Sequence, residues 1–179
     1  ARRATETEIA HVDGDVLEYD RRVRAEADAD YDRLVAEGHS EIVLVPLLLT
    51  EAYHAKVDVP EAAEAARARH DGIRIQVTDV LGIESAFFRV LDRRLRDVLR
   101  ENRVRELDAL VLAGAGSSDA IANATIARAA RAWGAHHKLP TIAAFASSAP
   151  PAAGEAVRAH RADGRRNIAV GQLMLAPGF

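Results

Sequence analysis

Apolar residues along this chain fall into two alternating rhythms. Short, nearly continuous runs at 42–49 (IVLVPLLL), 73–80, 109–114 (ALVLAG), 141–146 and 168–175 are rich in Val, Ile and Leu. Such runs read as strands buried on both faces, the usual pattern of a parallel sheet. Between them lie stretches with apolar positions three or four apart, and these predict helices over 61–70, 84–102, 119–133 and 152–162. Upstream, 1–10 and 23–37 read as helices and 15–19 as a short strand. Gly38 closes the second of those helices, and Pro60 opens the helix at 61–70. Strands alternating with helices predict βαβ units and an α/β fold with mostly parallel sheets.

The pattern also repeats. Setting Gly38 on Gly164 brings Ile42 onto Ile168, Leu44 onto Val170, and Leu47-Leu48-Leu49 onto Leu173-Met174-Leu175. The same shift carries Asp15–Leu17 onto Thr141–Ala143 without a gap. A duplicated α/β half is expected, with an N-terminal half over 1–80 and a C-terminal half over 81–179. In this alignment 108–126 has no counterpart, because its partner would precede Ala1. The partner of His54 would likewise follow Phe179. The first half is therefore expected to lack its opening strand, and the second its closing helix. An unpaired sheet edge of that kind is unfavourable, so the repeat points to ends lying outside the sequence.

Composition narrows the chemistry. With 179 residues and 49% hydrophobic content the chain can bury a real core. A net charge of −3 gives no sign of a nucleic-acid or membrane-surface binder. No apolar run approaches the ~20 residues of a membrane span, and no export signal is visible. A cytoplasmic location fits. Cysteine is absent, which removes disulfides, thiolate metal sites and a Cys nucleophile. Any metal site must use His, Asp or Glu, a donor set suited to Co²⁺, Fe²⁺, Ni²⁺ or Zn²⁺.

The densest chemistry lies at 42–60, where an apolar strand runs into a loop with Glu51, His54 and Asp58 before Pro60. Ligands bind at the carboxyl ends of parallel strands, so His54 is a candidate metal ligand or proton-transfer group, with Glu51 as a possible assistant. Glu18, after the strand read at 15–19, is a second candidate. The stretch Gly114-Ala115-Gly116-Ser117-Ser118-Asp119 follows a strand and opens a helix, a place where backbone N–H groups can meet an anion. A dinucleotide reading also needs an acid after the next strand, where this chain has Phe145-Ala146-Ser147-Ser148. His11, His39, His70, His136, His137 and His160 have no acidic partner at useful spacing and read as surface residues. Trp133, Phe87 and Phe88 read as core.

The segment Pro46-Leu47-Leu48-Leu49, then Thr50 to Tyr53, His54, and Asp58-Val59-Pro60 resembles a signature of the sirohydrochlorin chelatases. These class II chelatases insert Co²⁺ or Fe²⁺ into a modified tetrapyrrole, and their signature runs Pro-Leu-Phe-Leu, a short loop, His, then Asp-x-Pro. Val16-Leu17-Glu18 resembles their Phe-Leu-Glu, and Gly116-Ser117-Ser118-Asp119 with Ala122-Asn123 resembles their Gly-Ser-Ser-Asp stretch. The resemblance implies two flavodoxin-like halves with an active-site cleft between them. It implies His54 and Glu18 as metal ligands and catalytic groups, with Glu18 taking a pyrrole proton, and Ser117 and Ser118 as binders of substrate carboxylates. The implied activity is a lyase serving cobalamin or sirohaem biosynthesis. It takes the divalent metal as substrate, sirohydrochlorin as partner, and no organic cofactor. The family's other His belongs to a His-Gly-Ser loop, whose second-half counterpart here carries Ala115, and the first-half loop would precede Ala1. That departure keeps open a homologue that binds metal or tetrapyrrole without turnover.

Overall fold

A computed structural model describes residues 16–175, with side chains from Arg24 onward. The helix read at 1–10 lies outside the described residues. By packing, the chain divides into two units, 16–46 with His54–Asp79 and Leu47–Tyr53 with 80–175.

The first unit opens with α1, Val16–Ala36. The strand read at 15–19 is thereby corrected, because from Val16 the chain is already helical. The reason is local. Val16-Leu17 is too short an apolar pair to fix a period, and the Arg, Glu and Ala residues that follow are good helix formers. Strand β1, Glu41–Leu44, pairs in parallel with β2, Arg74–Val77, with Ile42 opposite Ile75. Helix α2, Val59–Arg69, connects them. Tyr31 of α1, Ile42, Ile75 and the α2 residues Ala63 and Ala66 make the core. The alanines let the helix approach the sheet closely. Outside that core, α1 and α2 are tied by Arg69 to Asp28 at 2.9 Å and His70 to Asp32 at 2.7 Å. His70 is therefore a partnered residue rather than an idle surface one, and His39 lies 3.8 Å from Glu37.

Strand β1 is shorter than the apolar run that predicts it. Pro46 has no N–H to give a sheet ladder, and beyond it the chain serves the second unit. There the Leu48 carbonyl accepts from the Gly82 N–H at 3.1 Å, and Leu49 packs on that unit's main core.

The second unit holds α3 (Ser85–Glu101), β3 (Ala109–Gly114), α4 (Ala120–His137), β4 (Thr141–Phe145), α5 (Ala153–Ala162) and β5 (Ile168–Gln172). Its sheet has the order β4-β3-β5, all parallel, with Leu110 opposite Thr141 on one side and Ala169 on the other. Central β3 is inaccessible over Ala109–Leu112. Alternation divides its side chains between two faces. Leu110 and Leu112 pack with Leu91 of α3 and Ile126, Ala129, Ala130 and Trp133 of α4. On the other face, Val111 packs with Ala144 and with Ala156 of α5. His160 also belongs inside, a correction to its reading as a surface residue. It is 2% exposed, and its Nε2 lies 3.0 Å from the Leu110 carbonyl. Its position in α5 turns it onto β3, where Nε2 meets the Leu110 carbonyl and Nδ1 is buried without a hydrogen-bond partner. No helix among the described residues is long and apolar enough to cross a membrane.

The start of this sheet carries a pH-sensitive clasp. Asp108 Oδ2 accepts the N–H groups of Asn167 at 2.7 Å and Arg166 at 2.8 Å, joining the beginnings of β3 and β5. The Asn167 bond first, then the Arg166 bond and the Arg165 charge, outweigh burial and hold the carboxyl below its usual value. A depressed folded-state pKa stabilises the fold above the unfolded carboxylate range and is lost as pH falls through the folded value. Asp108→Asn is therefore expected to flatten the acid limb of a thermal-midpoint profile below about pH 4. An acid limb identical to that of the parent protein would refute the assignment.

Candidate active site

The loop after β1 builds the first candidate site from a short stretch of chain. His54–Asp58 forms a wide turn with i→i+5 hydrogen bonding and runs directly into α2. Such turns are energetically poorer than α-helix and recur at functional positions. This one places residues 54 and 58 side by side. His54 Nδ1 lies 2.5 Å from Asp58 Oδ2, while Arg24 of α1 donates to Asp58 Oδ1 at 3.0 Å and approaches Glu61 at 3.2 Å. The His54 side chain is 68% exposed and that of Asp58 26%. A carboxylate on one imidazole nitrogen fixes the ring's tautomer and raises the basicity of the other. Asp58 thus orients the His54 ring, and Arg24 pins that carboxylate. The exposed Glu51 lies in the same loop.

Glu18 falls in the first turn of α1, not at the end of a strand. The strand-end placement that made it a candidate is corrected. Ser117 and Ser118 belong to the second unit, in the loop between β3 and α4. That loop is closed on itself. Ser117 N–H donates to Asn123 Oδ1 at 3.0 Å, Asn123 Nδ2 donates to the Ser117 carbonyl at 2.7 Å, and Asp119 N–H donates to Ser117 Oγ at 3.0 Å. Asp119 in turn caps α4, accepting from Ile121 N–H at 2.8 Å. Two loop N–H groups are thus used internally and a carboxylate occupies the helix start, which disfavours a nucleotide phosphate there. Ser117 Oγ still has its own proton to give, and Ser118 is exposed.

A third cluster was not legible in the sequence. Asp92 of α3 accepts from Trp133 Nε1 at 2.8 Å, and its Oδ1 lies 2.8 Å from His137 Nε2. His136 Nε2 lies 3.6 Å from the other oxygen, so both histidines have an acidic partner and are not idle surface residues. Burial alone would push the Asp92 carboxyl up. The Trp133 and His137 hydrogen bonds and the two imidazole charges win and hold it low. The adjacent histidines at the end of α4 were the available signal, but their acid lies on another helix.

These observations can be set beside known proteins. The sequence model of the CbiX family matches residues 21–98 and 109–179. This chain belongs to the CbiX family. Among CbiX relatives, the sirohydrochlorin ferrochelatase of Bacillus subtilis (strain 168) is 33% identical over 92 residues, 51% of this chain and 34% of that protein. The sirohydrochlorin cobaltochelatase of Priestia megaterium is 26% identical over 101 residues, 56% of this chain and 33% of that protein. The matched part therefore spans about a third of these curated relatives. A solved structure, SirB from Bacillus subtilis with Fe³⁺, superposes with a TM-score of 0.67 at 27% identity, covering 85% of this chain and 60% of SirB. The α/β fold with two similar halves and parallel sheets is that of the CbiX chelatases.

The geometry gives one local test. Asp58→Asn keeps the size of the side chain but removes the charge that favours the orienting contact with His54. Under the reading proposed below, in which His54 binds the metal, Co²⁺ affinity is expected to fall roughly 10–100-fold, read by calorimetric titration in a His136→Ala background that removes the cluster at the end of α4. An unchanged affinity would show that Asp58 does not orient the ring.

Proposed function

We propose that this CbiX protein is a sirohydrochlorin chelatase that inserts Co²⁺ or Fe²⁺ into the macrocycle, in cobalamin or sirohaem biosynthesis in the cytoplasm. The observation that carries the reading is the His54–Asp58 pair, placed after β1 in a chain of this family. The metal is a substrate. A neutral imidazole binds borderline divalent ions without the tenacity of a thiolate, which suits a group that must pass the ion on. Metal insertion releases two pyrrole protons, and a carboxylate beside the metal speeds their removal. Asp58, which sits on the opposite ring nitrogen, orients His54 and does not take those protons. Glu18 keeps a proton-accepting role only if it reaches the macrocycle from α1. Ser117, through its hydroxyl proton, and the exposed Ser118 are proposed to bind substrate carboxylates. No organic cofactor is required.

A second reading is a homologue that holds metal or tetrapyrrole without turnover. Glu18 lying on a helix instead of at a strand end favours it. Anaerobic absorbance titration with sirohydrochlorin and Co²⁺ or Fe²⁺ separates the two. Conversion to the metallated spectrum faster than without protein supports the chelatase. Macrocycle binding with no gain in rate supports the carrier, and absence of binding refutes both.

A further inference from the structure

The cluster at the end of α4 has the composition and spacing of a metal site, and it lies wholly within the second unit. Asp92 of α3 and His136 and His137 of α4 each offer a ligand atom, and these atoms all lie within 4.8 Å of one another. A tetrahedral ion bound at the usual N and O distances holds its ligand atoms roughly 3.3 Å apart. His137 Nε2 lies 2.8 Å from Asp92 Oδ1 and His136 Nε2 lies 3.6 Å from Asp92 Oδ2, so the two imidazoles meet the two oxygens of one carboxylate. All three side chains thus already converge on one point at the end of α4.

Three further features bear on a cation here. Trp133 Nε1 donates to Asp92 Oδ1, so the carboxylate is held from behind by a side chain that is 1% exposed. That bond fixes the orientation of the carboxylate and turns Oδ2 toward His136, the kind of outer contact that metal-binding carboxylates use. The two histidines also occupy the last turn of α4, where unsatisfied carbonyls make the helix end electronegative and favour a cation. Access is open on one side, since the His136 side chain is 68% exposed whereas those of His137 and Asp92 are 25% and 16% exposed.

We propose that Asp92, His136 and His137 form a second divalent transition-metal site, distinct from His54, with water completing the coordination. Two imidazoles and one carboxylate select Zn²⁺, Ni²⁺, Co²⁺ or Cu²⁺ over Mg²⁺ or Ca²⁺, which prefer oxygen ligands. Occupation clips α3 to α4 over the main core. The site does not depend on the chelatase reading, because none of its residues takes part in that chemistry.

Trp133 is the single tryptophan of the chain and touches the proposed ligand set directly, so its emission reports on the site. Untagged protein is titrated with Ni²⁺ at neutral pH while tryptophan fluorescence is followed. The expected result is saturable quenching that Zn²⁺ competes away, weakened at least ~10-fold by His136→Ala and unchanged by His54→Ala. His136 is exposed, so that replacement spares the core, and Asp92→Asn provides an independent second variant. Absence of saturable quenching would overturn the proposal. So would quenching that survives both His136→Ala and Asp92→Asn, or quenching that His54→Ala abolishes.

Discussion

Replacing His54 by alanine is expected to lower the rate of metal insertion at least ~100-fold while leaving sirohydrochlorin binding nearly unchanged. Loss of a contact that merely orients a ligand costs roughly 10–100-fold, and loss of the ligand itself should cost no less. The fold should tolerate the change. His54 is mostly exposed, lies in a wide turn and contributes to no buried cluster among the described residues. The thermal midpoint is therefore expected to move little, which separates a chemical defect from a folding defect. Steady-state rates with sirohydrochlorin and Co²⁺, paired with an absorbance binding isotherm in the absence of metal, make the check. A variant that retains the parent rate would remove His54 from the mechanism.

The second large effect concerns stability. Gly116→Ala is expected to destabilise the protein by roughly 2–5 kcal/mol, combining the cost of a side chain at a left-handed backbone position with that of overpacking. Gly116 has φ +91°, and a Cβ there would overlap the Ser147 carbonyl oxygen and approach the Phe145 side chain at 3.2 Å. The obstructing atom is backbone and cannot swing aside. It is also tied in, because the Ser147 N–H donates to the Ala115 carbonyl at 3.0 Å, holding the loops after β3 and β4 together. Denaturant unfolding gives the number directly. A loss below about 1 kcal/mol, less than the usual cost of either strain alone, would show that the two loops part easily.

Much of the architecture was legible because strongly periodic segments leave few alternatives. The run ALVLAG became β3, Ala109–Gly114, and the helix read at 84–102 became Ser85–Glu101. Both carry a dense apolar pattern bounded by clear breaks. Where the pattern was thin the reading failed. Val16-Leu17 offered two apolar residues, and local propensity for helix decided the outcome. The apolar run at 42–49 outlasts its strand, Glu41–Leu44, for a different reason. Periodicity does not reveal that Pro46 ends the ladder, nor that Leu49 packs with the second unit.

Site legibility followed the same division. His54 was legible from its loop, whereas Asp58, four positions on, stood there only as part of the Asp-x-Pro signature. Their contact then depended on a single wide turn. Ser117 and Ser118 were nominated from a loop motif, and the structure adds that Asn123 and Asp119 close that loop on itself. The pairing of Asp92 with His137 spans 45 positions and two helices. No local pattern announces such a contact. His160 was likewise beyond reach, since only the packing of α5 on β3 reveals that its face is the buried one.

The central claim is that His54 receives the metal, and the most direct measurement observes its ring. Protein labelled with ¹⁵N at histidine and carrying His136→Ala, to silence the second centre, is titrated with Zn²⁺ as a diamagnetic probe, and the imidazole nitrogens are followed by NMR. With Nδ1 engaged by Asp58, the account predicts a large coordination shift at His54 Nε2 and a smaller response at Nδ1. A His54 ring whose nitrogens do not respond while Zn²⁺ binds elsewhere would contradict it.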